Sequence, residues 1–342
     1  MKGPHSSRAP SFRWGEATAW VLNGSSWSNL IGPREHPDSY PEIHTAMRDS
    51  PDEWWVNERV DREAIEVGCV MLELLSPSGP TDRDRESLAL LMGLTALNDS
   101  YSVQDRYEDI FAKRLCGHSV NDWISRASAA TDSWTAQQIR DCLRVQVRAL
   151  TAQRRKSSSS TQFPDAVEQV RRNRTDYREY LRWRTAEGCY YGVMLMAAVA
   201  SGTEIRDIPE KRIFDTLEAA IVSFDVHGFL RHTHEDETGN ILPYLPGDHM
   251  QRVNACLELF TRLYRLTAHA SDITAGQKSF LLRYMTSAAL VTYMPLRWSR
   301  TTPLHLASPI PVPDGWTHVT NEPHQAFTYS DTLTLGDDHG ID

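Results

Sequence analysis

The chain has 342 residues with 40% hydrophobic content, enough to bury a sizeable core in one large domain or two ordinary ones. A net charge of -9 and a pI near 5.8 argue against nucleic acid or an anionic membrane surface as the main partner. Cys69, Cys116, Cys142, Cys189 and Cys256 are odd in number, widely spaced and without a CxxC pair, so they indicate reduced thiols rather than a disulfide framework or a thiolate zinc site. Residues 1–20 hold no apolar run of signal-peptide length, and the longest apolar stretch, 190–200, is too short to span a bilayer. A soluble, cytoplasmic protein is expected.

Residues 1–60, rich in Ser, Pro and Trp, carry no assignable pattern. Apolar residues then recur at three- and four-residue spacing over 62–76, 84–97, 136–153, 165–199, 210–231, 250–268 and 275–294, which predicts an all-α domain over 61–300. The second of these shows the logic. Pro80-Thr81-Asp82 supplies turn and cap chemistry, acidic residues fill the first turn, and Leu88, Leu91, Met92 and Ala96 line one face. Its C-terminal end delivers Asn98 and Asp99. Residues 154–164, Arg-Arg-Lys followed by serines, read as a surface loop, and 301–342 as an extended, partly disordered tail.

The chemistry-bearing segments lie in the second half. Asp176-Tyr177 is followed by Tyr180-Leu181-Arg182-Trp183-Arg184 and then Glu187-Gly188, placing two arginines beside an apolar helix. Guanidinium suits forked hydrogen bonding to phosphate; a salt-bridged helix face is the alternative. About forty residues later stands Phe224-Asp225-Val226-His227-Gly228-Phe229-Leu230-Arg231-His232, followed by the acidic run Glu235-Asp236-Glu237 and by Gly239-Asn240-Ile241-Leu242. Positions 224, 228 and 232 share one helix face.

In order and spacing these segments resemble the fungal trichodiene-synthase-like sesquiterpene cyclases, members of the class I terpene cyclases, over roughly Val60 to Arg300. The resemblance implies a class I terpenoid synthase helical bundle that ionises farnesyl diphosphate and cyclises the resulting carbocation with Mg2+. Arg182 matches the arginine that senses diphosphate, with Arg184 a second candidate; Arg231 matches the basic residue of the second metal motif. Met294-Pro295-Leu296-Arg297-Trp298 is similar to the C-terminal Arg-Tyr pair, with Trp298 in the tyrosine's place. Asn98-Asp99 stands where the family has its aspartate-rich patch; a turn at a helix end is the alternative reading.

The chain departs from the family at 224, 228 and 232, where three oxygen ligands for magnesium are replaced by Phe224, Gly228 and His232. Replacement ligands are sought in Asp225, Glu235 and Asp236, although the acidic run also reads as a solvated loop. His232-Thr233-His234-Glu235-Asp236 also spells a transition-metal pattern, but without the preceding strand such a pattern needs. The expected cavity lining is Leu91, Leu94, Thr95, Tyr190, Tyr191, Phe224, Gly228, His232 and Trp298. Because members of that family often pair, a homodimer is among the partners implied. Two other functions remain open: a cyclase fold whose metal motifs have decayed to a binding role, and an isoprenoid-binding enzyme of changed chemistry with His227, His232 and His234 as acids or bases.

Overall fold

Asn57 starts the first helix with a described span in the computed structural model. Its side chain accepts a hydrogen bond from Val60 N at 3.0 Å, and the chain continues as α1, Glu58–Leu75. The structure describes residues 43, 45, 55–76, 82–101, 110–129, 132–157, 177–234, 240–242 and 245–291. Among these, α2 spans Asp82–Tyr101, α3 Val120–Ala127, α4 Ser133–Ser157, α5 Tyr177–Glu187 and α6 Tyr190–Ser201. They are followed by α7, Glu210–His234, α8, His249–Ala268, and α9, Ala275–Val291.

The described region is thus mostly helical, as the periodicity predicts, with one addition. Two-residue strands β1 (Arg114–Leu115) and β2 (His118–Ser119) pair antiparallel across Cys116 and Gly117, whose φ angles of 49° and 81° make a tight hairpin turn. Ser119 then caps α3: its hydroxyl accepts from Asp122 N at 3.1 Å while the Asp122 carboxylate accepts from Ser119 N at 3.1 Å. Strands this short show no alternation in a sequence.

Three helix boundaries correct the sequence expectation. The segment expected as one helix over 165–199 is two, α5 and α6, separated by Gly188 and Cys189. Arg154 to Ser157, expected in a loop, continue α4. Asn98 and Asp99 lie inside the last turn of α2, which runs on to Tyr101, so they do not form a turn after the helix. The segments 1–42, 158–176 and 301–342 fall outside the described residues. No described helix is long and apolar enough to cross a membrane.

Burial divides the apolar side chains into two packed groups. One joins α1, α2, α3, α4 and α6, with Trp123, Leu72, Leu88 and Met194 at its centre; the other lies between α7, α8 and α9, around Val222, Val226, Cys256, Leu259 and Met285. All five cysteines are free thiols. The helices α1 and α2 cross closely, and Gly68 faces Ala89 and Gly93 with no room for a side chain. That crossing seats the end of α2 against the cavity described next.

Candidate functional site

The break between α5 and α6 organises the site. A helix ends with carbonyls that lack intrahelical donors, and here Gln146 of α4 supplies one. Its Nε2 donates to Glu187 O at 3.0 Å and also to Thr95 O of α2 at 2.8 Å, while its Oε1 accepts from Asn98 Nδ2 at 3.1 Å. Cys189 takes a left-handed φ of 52° to turn the chain into α6, a conformation disfavoured for residues other than glycine. The hydroxyl of Tyr284, on α9, donates to Tyr190 O at 2.6 Å and ties down the start of α6. Burial pushes that phenol well above its ordinary pKa and keeps it protonated as the donor.

Around this break lies a cavity of about 100 Å³. Val67, Met71 and Leu75 of α1, Thr95, Ala96 and Asp99 of α2, and Gln146 form part of its wall. Arg184, Glu187 and Gly188 at the end of α5, Tyr190 and Val193 of α6, Phe224 of α7, and Tyr284, Ser287 and Ala288 of α9 complete it. The Tyr190 and Phe224 rings meet edge to face at 6.2 Å between centroids, and the Arg184 guanidinium lies 5.6 Å from the Phe224 centroid.

Arg184 is held from two sides. Its Nε and Nη2 donate to Asp225 Oδ1 at 3.2 and 3.0 Å, and its Nη1 donates to Glu187 Oε2. The other Asp225 oxygen accepts from Ile241 N at 3.0 Å, and Asp225 O accepts from Asn240 Nδ2 at 2.6 Å. Asp225 is fully buried and absent from the cavity wall. Expected as a replacement metal ligand, it is instead the counter-ion of Arg184 and the anchor for residues 240–242. The co-occurrence of Arg184, Asp225 and Asn240-Ile241 in the sequence thus has a local physical basis.

Of the other residues singled out from the sequence, Thr95, Asp99, Tyr190 and Phe224 line the cavity with Arg184. Leu91 and Leu94 are core residues, and Tyr191 is half-buried against the core, all three outside the cavity wall. Asn98 is buried and directed to Gln146, and Gly228 is buried on α7 away from the cavity. Arg182 is placed by the backbone of α5, and Arg231 and His232 by that of α7. Glu235, Asp236, Arg297 and Trp298 fall outside the described residues.

Gln146, Glu187, Tyr284 and Ser287 were missed. Gln146 carried a readable signal, because it occupies the apolar stripe of α4 with Ile139, Leu143 and Leu150, where a polar residue is out of pattern. Glu187 is a helix-end carboxylate like many others, and Tyr284 and Ser287 read as ordinary core and surface types.

Asp99 is the cavity carboxylate suited to a hard cation, which magnesium would share with phosphate oxygens and waters. Phe224 and Gly228 offer no donor, and among the described residues no three His, Cys, Asp or Glu side chains come together as a metal site. Among the described residues the cavity wall thus offers the Asp99 carboxylate, to which Phe224 and Gly228 add no donor.

His227, named above as an acid or base, is buried on α7 outside the cavity, and burial lowers its pKa to about 4. It is therefore neutral at physiological pH. Between pH 6.5 and 4 the unfolded chain takes up a proton at this residue while the folded chain does not, so stability falls as pH falls. The loss attributable to His227 totals about 3 kcal/mol. Urea titrations across that range should show His227→Gln flattening the decline by about this amount; superimposable wild-type and variant curves would contradict it.

Comparison with known protein families finds no family model that matches the chain, and comparison with curated proteins finds no match either.

Proposed function

We propose that the chain is a class I terpene cyclase that ionises farnesyl diphosphate and cyclises the allylic cation in this cavity, working with an atypical metal site. The observation that carries the reading is the meeting of Asp99, Arg184, Tyr190 and Phe224 in one wall. They come from four helices, α2, α5, α6 and α7, and each is among the site or lining residues expected from the sequence. The remaining wall is chiefly aliphatic and suits a hydrocarbon.

The residues divide the work. Val67, Met71, Leu75 and Val193 surround the hydrocarbon and exclude water, which protects a cation from premature capture. Tyr190 and Phe224 present aromatic rings that stabilise positive charge. Magnesium, when bound, supplies charge that opposes that of the leaving diphosphate. Asp99 would hold it, and Arg182, Arg231 and Arg297 would share the diphosphate. Arg184, already paired with Asp225 and Glu187, keeps the α5–α6 break in shape. A cavity of about 150 Å³ holds benzene, so a farnesyl chain requires the wall of this cavity, at about 100 Å³, to open.

The test is incubation of the purified chain with geranyl, farnesyl and geranylgeranyl diphosphates, with and without magnesium, followed by gas chromatography of the volatile products. A magnesium-dependent terpene from farnesyl diphosphate is expected, and Arg182→Ala should abolish diphosphate release while leaving thermal melting unchanged. Unchanged turnover in Arg182→Ala would remove that residue's assignment. The pairing of Arg184 with two carboxylates favours a second reading, a non-catalytic protein that binds an apolar ligand in the same cavity. Failure of every diphosphate to react would select it.

A further inference from the structure

The cavity wall contains a hydrogen-bonding group that the protein itself leaves unused. Ser287 lies in α9, is 3% exposed, and its Oγ has no hydrogen-bond partner among the described residues. A hydroxyl within a helix commonly turns back to a carbonyl one turn earlier. The adjacent Thr286 does so, reaching Leu282 O at 3.2 Å and Arg283 O at 3.1 Å, and Thr216 reaches Arg212 O at 2.8 Å. Ser287 does not.

The other polar side chains of the wall are already engaged within the protein. Thr95 Oγ1 donates to Met92 O at 2.7 Å, Gln146 bridges Thr95 O and Glu187 O, Arg184 pairs with Glu187, and the Tyr284 hydroxyl donates to Tyr190 O. Asp99 and Tyr190 likewise have interactions of their own. What the wall leaves for a ligand, among the described residues, is apolar surface and one hydroxyl. In such pockets a few placed polar groups orient the ligand, and a site built to bond an oxygen discriminates against the analogue that lacks it.

We propose that Ser287 is the hydrogen-bonding anchor for an oxygen atom on the ligand, so that this cavity takes an apolar molecule bearing a hydroxyl group. The proposal rests on the cavity read above as the substrate site, but not on the ionisation of a diphosphate. The hydroxyl has two possible sources. It is carried in by the ligand, or it is made in place, when water donates a lone pair to the final carbocation, forms the C–O bond and loses a proton to the departed diphosphate.

Calorimetric titration of the full chain with phenol and with toluene tests this, since the two probes differ only by hydroxyl for methyl and require far less opening of the cavity wall than a farnesyl chain does. The preference for phenol over toluene, taken as the ratio of their Kd values, should fall about tenfold in Ser287→Ala. Melting of that variant should not drop, because no bond within the protein is lost. Ser287→Cys, which keeps a side chain of similar shape but donates weakly, should show the same fall. An unchanged ratio, or a wild-type chain that binds neither probe, overturns the proposal. Turnover of farnesyl diphosphate in 18O-labelled water separates the sources: a labelled alcohol means the hydroxyl is made in place, and binding without label means it is carried in. Contrast between the probes without turnover of any diphosphate would leave Ser287 assigned and retire the cyclase; turnover without the contrast would do the reverse.

Discussion

Replacing Arg184 with alanine is expected to cost the fold about 3–5 kcal/mol, the range seen when one partner of a buried ion pair is removed. Arg184 is 4% exposed and Asp225 is fully enclosed, so deletion of the guanidinium strands a carboxylate where water cannot reach it. The damage should spread, because Asp225 also receives Ile241 N and, through its carbonyl, Asn240. Hydrogen exchange at Ile241 should accelerate together with the fall in the urea midpoint. Arg184→Met combined with Asp225→Leu and Glu187→Gln removes all three charges and should recover part of the loss, since buried ionic groups replaced by uncharged side chains of similar volume are often neutral. A single-variant loss below about 1 kcal/mol would mean the pair is solvated and the buried network is misassigned. The same result bears on function. Activity lost in Arg184→Ala is evidence of a catalytic role only at temperatures where the variant remains folded, which makes Arg182→Ala the cleaner probe of diphosphate contact.

Gly68→Ala should be comparably damaging. In an exposed helix a glycine-to-alanine change stabilises by about 0.5–1 kcal/mol. Here a Cβ would lie 2.1 Å from Ala89 O and 2.3 Å from Gly93 N, both backbone atoms that no rotamer change can move. Relief requires α1 and α2 to separate by more than about 1 Å to restore ordinary contact distances. The expected loss is about 3 kcal/mol or more, at or above the upper end of overpacking effects. Gly276→Ala is the control: its Cβ would approach Thr274 Oγ1 no closer than 4.0 Å, so it should be neutral or slightly stabilising. Equal melting of the two variants would contradict the close crossing. Because α1 and α2 both contribute to the cavity, a Gly68→Ala chain that still folds should bind cavity ligands more weakly.

Helix positions were legible wherever an apolar stripe was long. The predicted 210–231, 250–268 and 275–294 match α7, α8 and α9 to within a few residues at each end. The segment 165–199 was misread because the apolar pattern continues through Gly188 and Cys189, and a single glycine does not announce a break whose stability comes from Gln146 and Tyr284 on other helices. Part of the site was legible by the same token. Asp99 and Phe224 were singled out by the family resemblance and Thr95 and Tyr190 as inward-facing helix positions, whereas the partners of Arg184 follow from how those helices face one another.

By itself, then, the sequence determined the helical class, the reduced state expected of the cysteines and the short set of helix segments that meet at the cavity, because these depend on local periodicity and on residue chemistry. Only the tertiary structure decided that Asp225 neutralises Arg184, that Gly68 and Gly93 set the crossing of α1 and α2, and that Ser287 is left with an unused hydroxyl. Those facts depend on which groups are brought together after water is excluded, and a hydrogen bond or a steric contact between distant residues leaves no periodic trace in the chain.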